Sequence, residues 1–312
     1  MLKRYLFTLV ISVVGALAAS AQYDMSLSHY FAQEPVFNPA AVGKESKLNV
    51  TGSYALDFAG FEHNPRTMIV AADMPLFMLK HYHGVGVQMT SDKLGLFDHQ
   101  RFAVQYALKT KLLGGMLGIG VQVGMLSEKF NGSQTDTEEG NDPAIPTTDV
   151  SGSGLDVGVG LYYVHGDWYA GASVAHATAP QVTLGDSYLL DIDRTYYLTG
   201  GYNIKLRNPL ITIHPTVLCM YDGSDFRANI SGRVELHDDN KKLFAGATYS
   251  PQHSAAAFVG GLFHGITVSY SYEAYTSMPD LKSGAHEIVL QYRLDMNLYK
   301  KGRNRHKSVR YL

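Results

Sequence analysis

From Lys47 onward, apolar and polar residues alternate with period two, in stretches of about ten residues separated by turn-forming residues. In Arg101–Lys109, Phe102, Val104, Tyr106 and Leu108 share one face, while Arg101, Ala103, Gln105, Ala107 and Lys109 share the other. In 226–236, Phe226, Ala228, Ile230, Val234 and Leu236 stand opposite Arg227, Asn229, Ser231, Arg233 and Glu235. Leu48, Val50, Tyr54, Leu56 and Phe58 likewise oppose Asn49, Thr51, Ser53, Ala55 and Asp57. A helix would scatter these residues around its axis, so the pattern predicts strands. Fourteen can be placed, near 48–58, 66–74, 83–91, 101–109, 115–126, 155–164, 167–175, 194–204, 210–220, 226–236, 243–250, 255–263, 264–272 and 285–294. Pro215 inside the ninth cannot donate to a ladder and predicts a bulge or an irregular stretch there.

Two all-β architectures use such a pattern. A soluble sandwich turns its apolar face inward. An outer-membrane barrel turns it toward lipid and lines its lumen with small or polar side chains. The strands run near the ~9–11 residues of tilted membrane strands rather than the ~5–6 of soluble ones. The polar faces carry Gly, Ala, Ser and Thr more than Lys and Glu, which suits a crowded lumen. Tyr162, Tyr163, Tyr169, Tyr196, Tyr197, Tyr270, Tyr272 and Tyr275 lie near strand ends, as an interfacial girdle requires. The expected fold is therefore a transmembrane antiparallel β-barrel of outer-membrane type, over 48–294. An even strand count puts both termini on the periplasmic side. The connections near 92–100, 127–154, 176–193 and 273–284 then form outer loops, and 110–114 and 165–167 are inner turns.

Composition narrows the classes. The 312 residues are 46% hydrophobic and 17% charged, with 31 Gly and 21 Tyr, which argues against disorder. Mean hydropathy of −0.08 is too polar for a bundle of membrane helices. A single cysteine excludes a disulfide framework and any Cys-based metal centre. A net charge of −2 argues against a nucleic-acid partner.

The ends differ from the barrel. Lys3 and Arg4, an apolar run from Tyr5 to Leu17 and Ala19-Ser20-Ala21 predict a signal peptide over 1–21, cut after Ala21. No cysteine follows that cut, so a lipid anchor is not expected. Residues 22–47 lack alternation and contain Pro35 and Pro39. They form either a periplasmic N-terminal segment or a plug folded into the lumen, and the sequence leaves both open. The 295–312 tail carries +5, and 22–294 carries −9 once this tail and the +2 leader are set aside. The basic tail predicts either a solvated end or a periplasmic hook for an acidic partner or anionic head groups.

Candidate chemistry is sparse. His81-Tyr82-His83 is the only close histidine pair, and no carboxylate is spaced to complete a zinc site. Gly118-Ile119-Gly120 lies inside an alternating strand and opens no helix, so it is not a dinucleotide loop. Glu128, Asp136, Glu138, Glu139, Asp142 and Asp149 do not follow an EF-hand spacing and predict a mobile acidic loop. No cofactor, metal or catalytic set is expected.

Several segments carry a family resemblance in order: Asn38-Pro39-Ala40-Ala41-Val42-Gly43, Gly60-Phe61 through Pro65-Arg66-Thr67 to Asp73-Met74-Pro75, and Gly84-Val85-Gly86. Gly158–Tyr163, Tyr169–Val174 and Gly200-Gly201-Tyr202 follow, then Val268–Glu273 and Ser283–Ile288. Together these resemble the PorP/SprF family of type IX secretion outer-membrane proteins, found in gliding or periodontal-type bacteria. Members usually end the penultimate element in Tyr-Asp, whereas Glu273 adds a methylene here, and the basic tail is longer than in the family. The resemblance implies a non-enzymatic barrel in outer-membrane lipid. It would help cargo bearing a C-terminal sorting domain reach or remain at the surface, and would contact periplasmic secretion-ring lipoproteins. Partner-binding residues are expected at Asn38, Pro39, Ala40 and Gly43, at His286 and Glu287, and at Lys300, Lys301, Arg303, Arg305, Lys307 and Arg310. For His286-Glu287 a structural hydrogen bond closing the barrel is the competing role. A porin or transporter for small or hydrophobic solutes is the alternative function, in which Arg227, Arg233 and Glu235 would tune ion selectivity. A lipid-modifying barrel enzyme is a third.

Overall fold

The computed structural model describes residues 25–61, 63–134, 147–186, 188–238, 241–277 and 283–296, so the 1–21 leader and the tail from 297 lie outside it. Among the described residues the sheet has fourteen principal strands. These are β1 (Lys47–Asp57), β2 (Arg66–Met78), β3 (His81–Leu94), β4 (Phe97–Leu112), β5 (Gly115–Asn131), β6 (Asp149–His165) and β7 (Trp168–Ala175). They continue as β8 (Thr195–Tyr202), β9 (Ile211–Tyr221), β10 (Phe226–Asp238), β11 (Lys241–Ser250), β12 (Ser254–Phe263), β13 (Ile266–Tyr275) and β14 (Ala285–Asp295). Each pairs antiparallel with its chain neighbours, and β1 also pairs with β14, from Lys47 opposite Asp295 to Asp57 opposite Ala285. The sheet is thus a closed barrel.

The side-chain alternation decides which way this barrel faces. Arg101, Ala103, Gln105, Ala107 and Lys109 are buried, whereas Phe102 and Val104 are 56% and 50% exposed. The same inversion holds at Asn229 and Ser231 against Ile230, and at Gln122 against Val121 and Val123. Apolar side chains cover the outside and polar ones fill the inside, the arrangement that lipid demands and water forbids. Closure satisfies the backbone, since a sheet edge in hydrocarbon would leave unpaired N–H and C=O groups.

Both termini of the barrel lie at one end, here the terminal end; the opposite one is the far end. Three turns at the terminal end are tight: Leu79-Lys80, Leu113-Gly114 and His264-Gly265 each place two residues at positive φ, as two-residue hairpins with the twist of the strands require.

The structure corrects several expectations. The 92–100 segment is not a loop, because β3 and β4 run on to Leu94 and from Phe97 around Gly95-Leu96. The 127–154 connection shrinks to 132–148, of which 135–146 lie outside the described residues. Glu128 is fully buried on β5 beside His99, and Asp149 pairs with Lys129 at 3.1 Å. Loop 176–194 carries a small hairpin, Gln181–Leu184 with Tyr188–Asp191, whose Val182 and Leu184 pack on Leu126. Pro215 makes no bulge: its register against β10 is unbroken, opposite Gly232, and β8 merely lapses at Asn203. Tyr162, Tyr169 and Tyr197 point inward and are buried, so only part of the tyrosine set faces outward.

An arginine replacing Ile230, outward near the middle of β10, should lower stability in lipid vesicles by about 2–4 kcal/mol. Reversible denaturant titration in vesicles measures this, and an unchanged midpoint would contradict a lipid-facing surface.

Candidate functional site

The lumen is filled by the chain's own N-terminal segment. Pro35 and Pro39 each open a short helical turn, Glu34–Phe37 and Pro39–Ala41, where a missing N–H costs nothing. Between them Asn38 turns the chain, its Oδ1 accepting from Ala40 N at 2.9 Å and its Nδ2 donating to Leu161 O at 3.0 Å. His29, Tyr30, Asn38, Ala41 and Val42 are completely buried. Residues 25–43 are therefore a plug, the second of the two readings open for 22–47.

Wall side chains satisfy this irregular backbone, as burial requires. Gln291 Nε2 donates to Ala32 O at 2.6 Å, Gln105 Nε2 to Pro35 O at 2.6 Å, and Ser173 Oγ to Phe37 O at 2.7 Å. Charged groups hold its ends. Glu287 accepts from His29 N at 3.0 Å and from Gln33 Nε2 at 2.8 Å, and lies 3.2 Å from His29 Nδ1. Ser53 Oγ donates to Gln33 Oε1 at 2.8 Å. Glu273 accepts from Ser28 Oγ at 2.7 Å, while Arg227 Nη2 reaches its other oxygen at 2.6 Å. Glu34, from the plug, accepts from Tyr162 OH at 2.8 Å and pairs with Lys44; Asp73 accepts from Gly43 N at 2.7 Å. Leu27, Tyr30, Val36 and Phe37 complete the packing against Ile69, Tyr197, Leu218 and Met220.

The inward glycines now have a reason. A Cβ at Gly120 or Gly118 would overlap the backbone of Ala40, one at Gly84 the carbonyl of Val42, and one at Gly160 the side chain of Asn38. Gly43 itself has φ +60° and faces Met74 O and Gly84 Cα. The Asn38–Gly43 box and the wall glycines are one close-packed contact.

The expected partner residues thus separate. Asn38, Pro39 and Ala40 are buried against the wall, and Gly43 is bonded to it. Glu287 points inward to the plug, whereas its neighbour His286 points outward, with Nδ1 2.7 Å from Tyr270 OH. Period two sends adjacent residues to opposite faces, so the pair does not act as a unit. Lys300, Lys301, Arg303, Arg305, Lys307 and Arg310 lie outside the described residues. His83 bonds Tyr106 OH at 2.7 Å, and no metal-holding group of His, Cys, Asp or Glu occurs among the described residues.

Two features went unread in the sequence. Toward the far end, His176 Nδ1 is 2.9 Å from buried Asp156, and Arg101 Nη1 is 4.0 Å from the same carboxyl. Toward the terminal end, a cavity of about 180 Å³ lies between the plug and β9, β10, β11 and β14. Phe31 and Phe244 line it with Lys44, Glu45, His214, Arg233, Glu235, Lys242 and Arg293. The only advance signal was the inward register of Arg233 and Glu235.

The sequence model of the type IX secretion system membrane protein PorP/SprF matches residues 19–292. The chain belongs to this family. The PorP/SprF barrel described here is also similar to solved structures. It is 10% identical to the CymD monoaromatic hydrocarbon channel, with 84% of this chain and 91% of that one covered and a TM-score of 0.46. A Pseudomonas aeruginosa FadL homologue is 9% identical over 80% of this chain and 89% of its own, with a TM-score of 0.45. BamA from Haemophilus ducreyi lacking POTRA domains 1-3 is 10% identical over 80% and 70%, with a TM-score of 0.43. No curated protein matches in sequence.

Gly120→Val should force the 38–43 box off the wall, whereas Gly232→Ala, with open space at its Cβ, should be silent. Single-channel recording in planar bilayers distinguishes them: the first is expected to raise conductance above wild type and the second to leave it unchanged.

Proposed function

We propose that this PorP/SprF barrel, exported by its 1–21 leader, sits in the outer membrane with its termini and tight turns in the periplasm. It acts there as a non-enzymatic component of type IX secretion. In this reading it assists translocation or surface anchoring of cargo that carries a C-terminal sorting domain, and it docks through its periplasmic end to secretion-ring lipoproteins. The basic 295–312 tail is the electrostatic part of that docking end.

The single observation that carries the reading is the filled lumen. A barrel whose own residues 25–43 are bonded to the wall through Glu273, Glu287, Gln105 and Gln291 offers no wide aqueous path. What it does offer is an anchor in lipid with one surface toward each compartment. The three longest connections, 132–148, 176–194 and 276–284, all lie at the far end, which supports the orientation, since outer-membrane barrels keep their longer loops outside. The alternative, a solute porin or transporter, needs a passage that the plug fills.

Deleting the gene should leave sorting-domain cargo unexported or released from the surface, and restoring the full chain should return it. Affinity purification from solubilised outer membrane should bring down periplasmic lipoproteins. Normal cargo display in the deletion strain, together with porin-like conductance of the purified wild type, would favour the transport alternative.

A further inference from the structure

The cavity at the terminal end holds more positive charge than its own carboxylates answer. Lys44 is matched by Glu34, Arg293 faces Glu45 at 3.6 Å, and Lys242 Nζ reaches Glu235 Oε1 at 2.6 Å. Arg233 is the remainder. Its nearest carboxylate oxygen, Glu235 Oε2, is 3.9 Å from Nε, beyond hydrogen-bond distance. The guanidinium instead lies over the Phe31 ring at 4.4 Å, with Phe244 at 5.7 Å. Stacking uses the face of the guanidinium and leaves its in-plane N–H groups to bond elsewhere.

Orphaned buried atoms gather at the same place. Arg233 Nε, Arg293 Nε, His214 Nε2 and Glu235 Oε2 are all buried without a hydrogen-bond partner, and all four residues line this cavity. Two buried donors from different strands, Arg233 Nε on β10 and Arg293 Nε on β14, converging unpaired on one space mark a place where something else is bound. The space is about 180 Å³, enough to admit a peptide side chain together with water. Phe31 and Phe244 supply aromatic wall beside the four cations, and Glu34, Glu45 and Glu235 also line the space. The side chains of Lys44, Lys242 and Arg293 are 22–32% exposed, so the cavity opens toward solvent at the terminal end.

We propose that this cavity is a carboxylate-binding site for an acidic peptide: it receives one Glu or Asp side chain, or a free C-terminal carboxylate, presented by a protein partner. The methylene stem lies against Phe31 and Phe244, and the carboxylate accepts from Arg233 and Arg293. Glu235 selects for charge, because a phosphate dianion meets stronger repulsion beside it than a single carboxylate does. Since Phe31 belongs to the plug, the occupant rests on plug and wall together. The protein source of the carboxylate rests on the periplasmic orientation proposed above; the binding chemistry does not.

The test uses the purified full chain in lipid nanodiscs and a fluorescent peptide, acetyl-Gly-Gly-Glu. Saturable binding is expected, weakened about ten-fold or more by Arg233→Gln, as loss of a charged hydrogen bond implies, and measurably by Arg293→Gln. The amidated Gln peptide should not compete, and inorganic phosphate should compete less well than acetyl-Gly-Gly-Glu. Equal binding of the Gln peptide, or no effect of either variant, overturns the proposal; tighter binding of phosphate overturns it in favour of a free-phosphate site. If Arg233→Gln does not fold, Arg293→Gln and the wild-type competition series decide alone. Because no secretion assay enters, a negative result here leaves the cargo role standing, and failure of the cargo role leaves this result standing.

Discussion

The pairing of β1 with β14 is the constraint on which the rest depends. Eleven residue pairs, from Lys47 with Asp295 to Asp57 with Ala285, join the two ends of the sheet. Without them two strand edges would stand in hydrocarbon with their amides unpaired, which no membrane tolerates. The seam also sets the inside. Once it closes, period two commits Thr51, Ser53, Glu287 and Gln291 to the lumen and Val50, Tyr54, Ile288 and Leu290 to lipid. Ser53, Glu287 and Gln291 are among the residues that grip the plug. The strands that close the wall therefore also anchor what fills it.

A closed wall creates the second problem, an interior too polar to stay dry and too narrow to be filled by strand side chains in a regular way. The chain solves it with an irregular segment and with glycine. Where the plug backbone runs closest, Gly84, Gly118, Gly120 and Gly160 remove the side chain that would collide with it. Where it stands further off, Gln105, Ser173 and Gln291 reach across to its carbonyls. Small and long polar residues on neighbouring strands thus read out the distance to the plug.

This logic explains what was legible in the sequence. All fourteen strands are legible because membrane strands are long and each residue's face repeats every second position; most run longer than the alternation alone marks, while 194–204 overruns Thr195–Tyr202. The strands continue through 92–100 because Asp92 and His99 keep the inward register of Thr90 and Arg101, while Lys93 and Gln100 are exposed on the other face. The inward direction of Glu287 follows from the same alternation, as does the separation of His286 from it. What the sequence could not show was contact at long range. Nothing local to Asn38-Pro39-Ala40 says that Gly120 and Gly160 lie against it, since those residues are some eighty to one hundred and twenty positions away in the chain. A proline-broken segment before a barrel is compatible with a leader or with a plug. The glycines inside alternating strands were the available clue, because a strand spends stability on a glycine when something must come close.

The manner of attachment bears on whether the plug is a gate. Glu287 receives its bonds from the plug itself, through the His29 amide and Gln33, so removing the plug strips a wall carboxylate of its donors. The apolar side chains of Leu27, Tyr30, Val36 and Phe37 would lose their contacts with Ile69, Tyr197 and Leu218 at the same moment. Carboxylates and apolar surface respond oppositely to entering water: it restores hydration to the first and penalises the second. A segment built for easy release would rely on one kind of contact that solvent can replace. This one combines both and adds a shape fit against glycine that water cannot mimic, which is the construction of a permanent filling. A barrel permanently filled has its two end surfaces left for function, and of these the terminal one carries the unmatched arginine stacked on the plug.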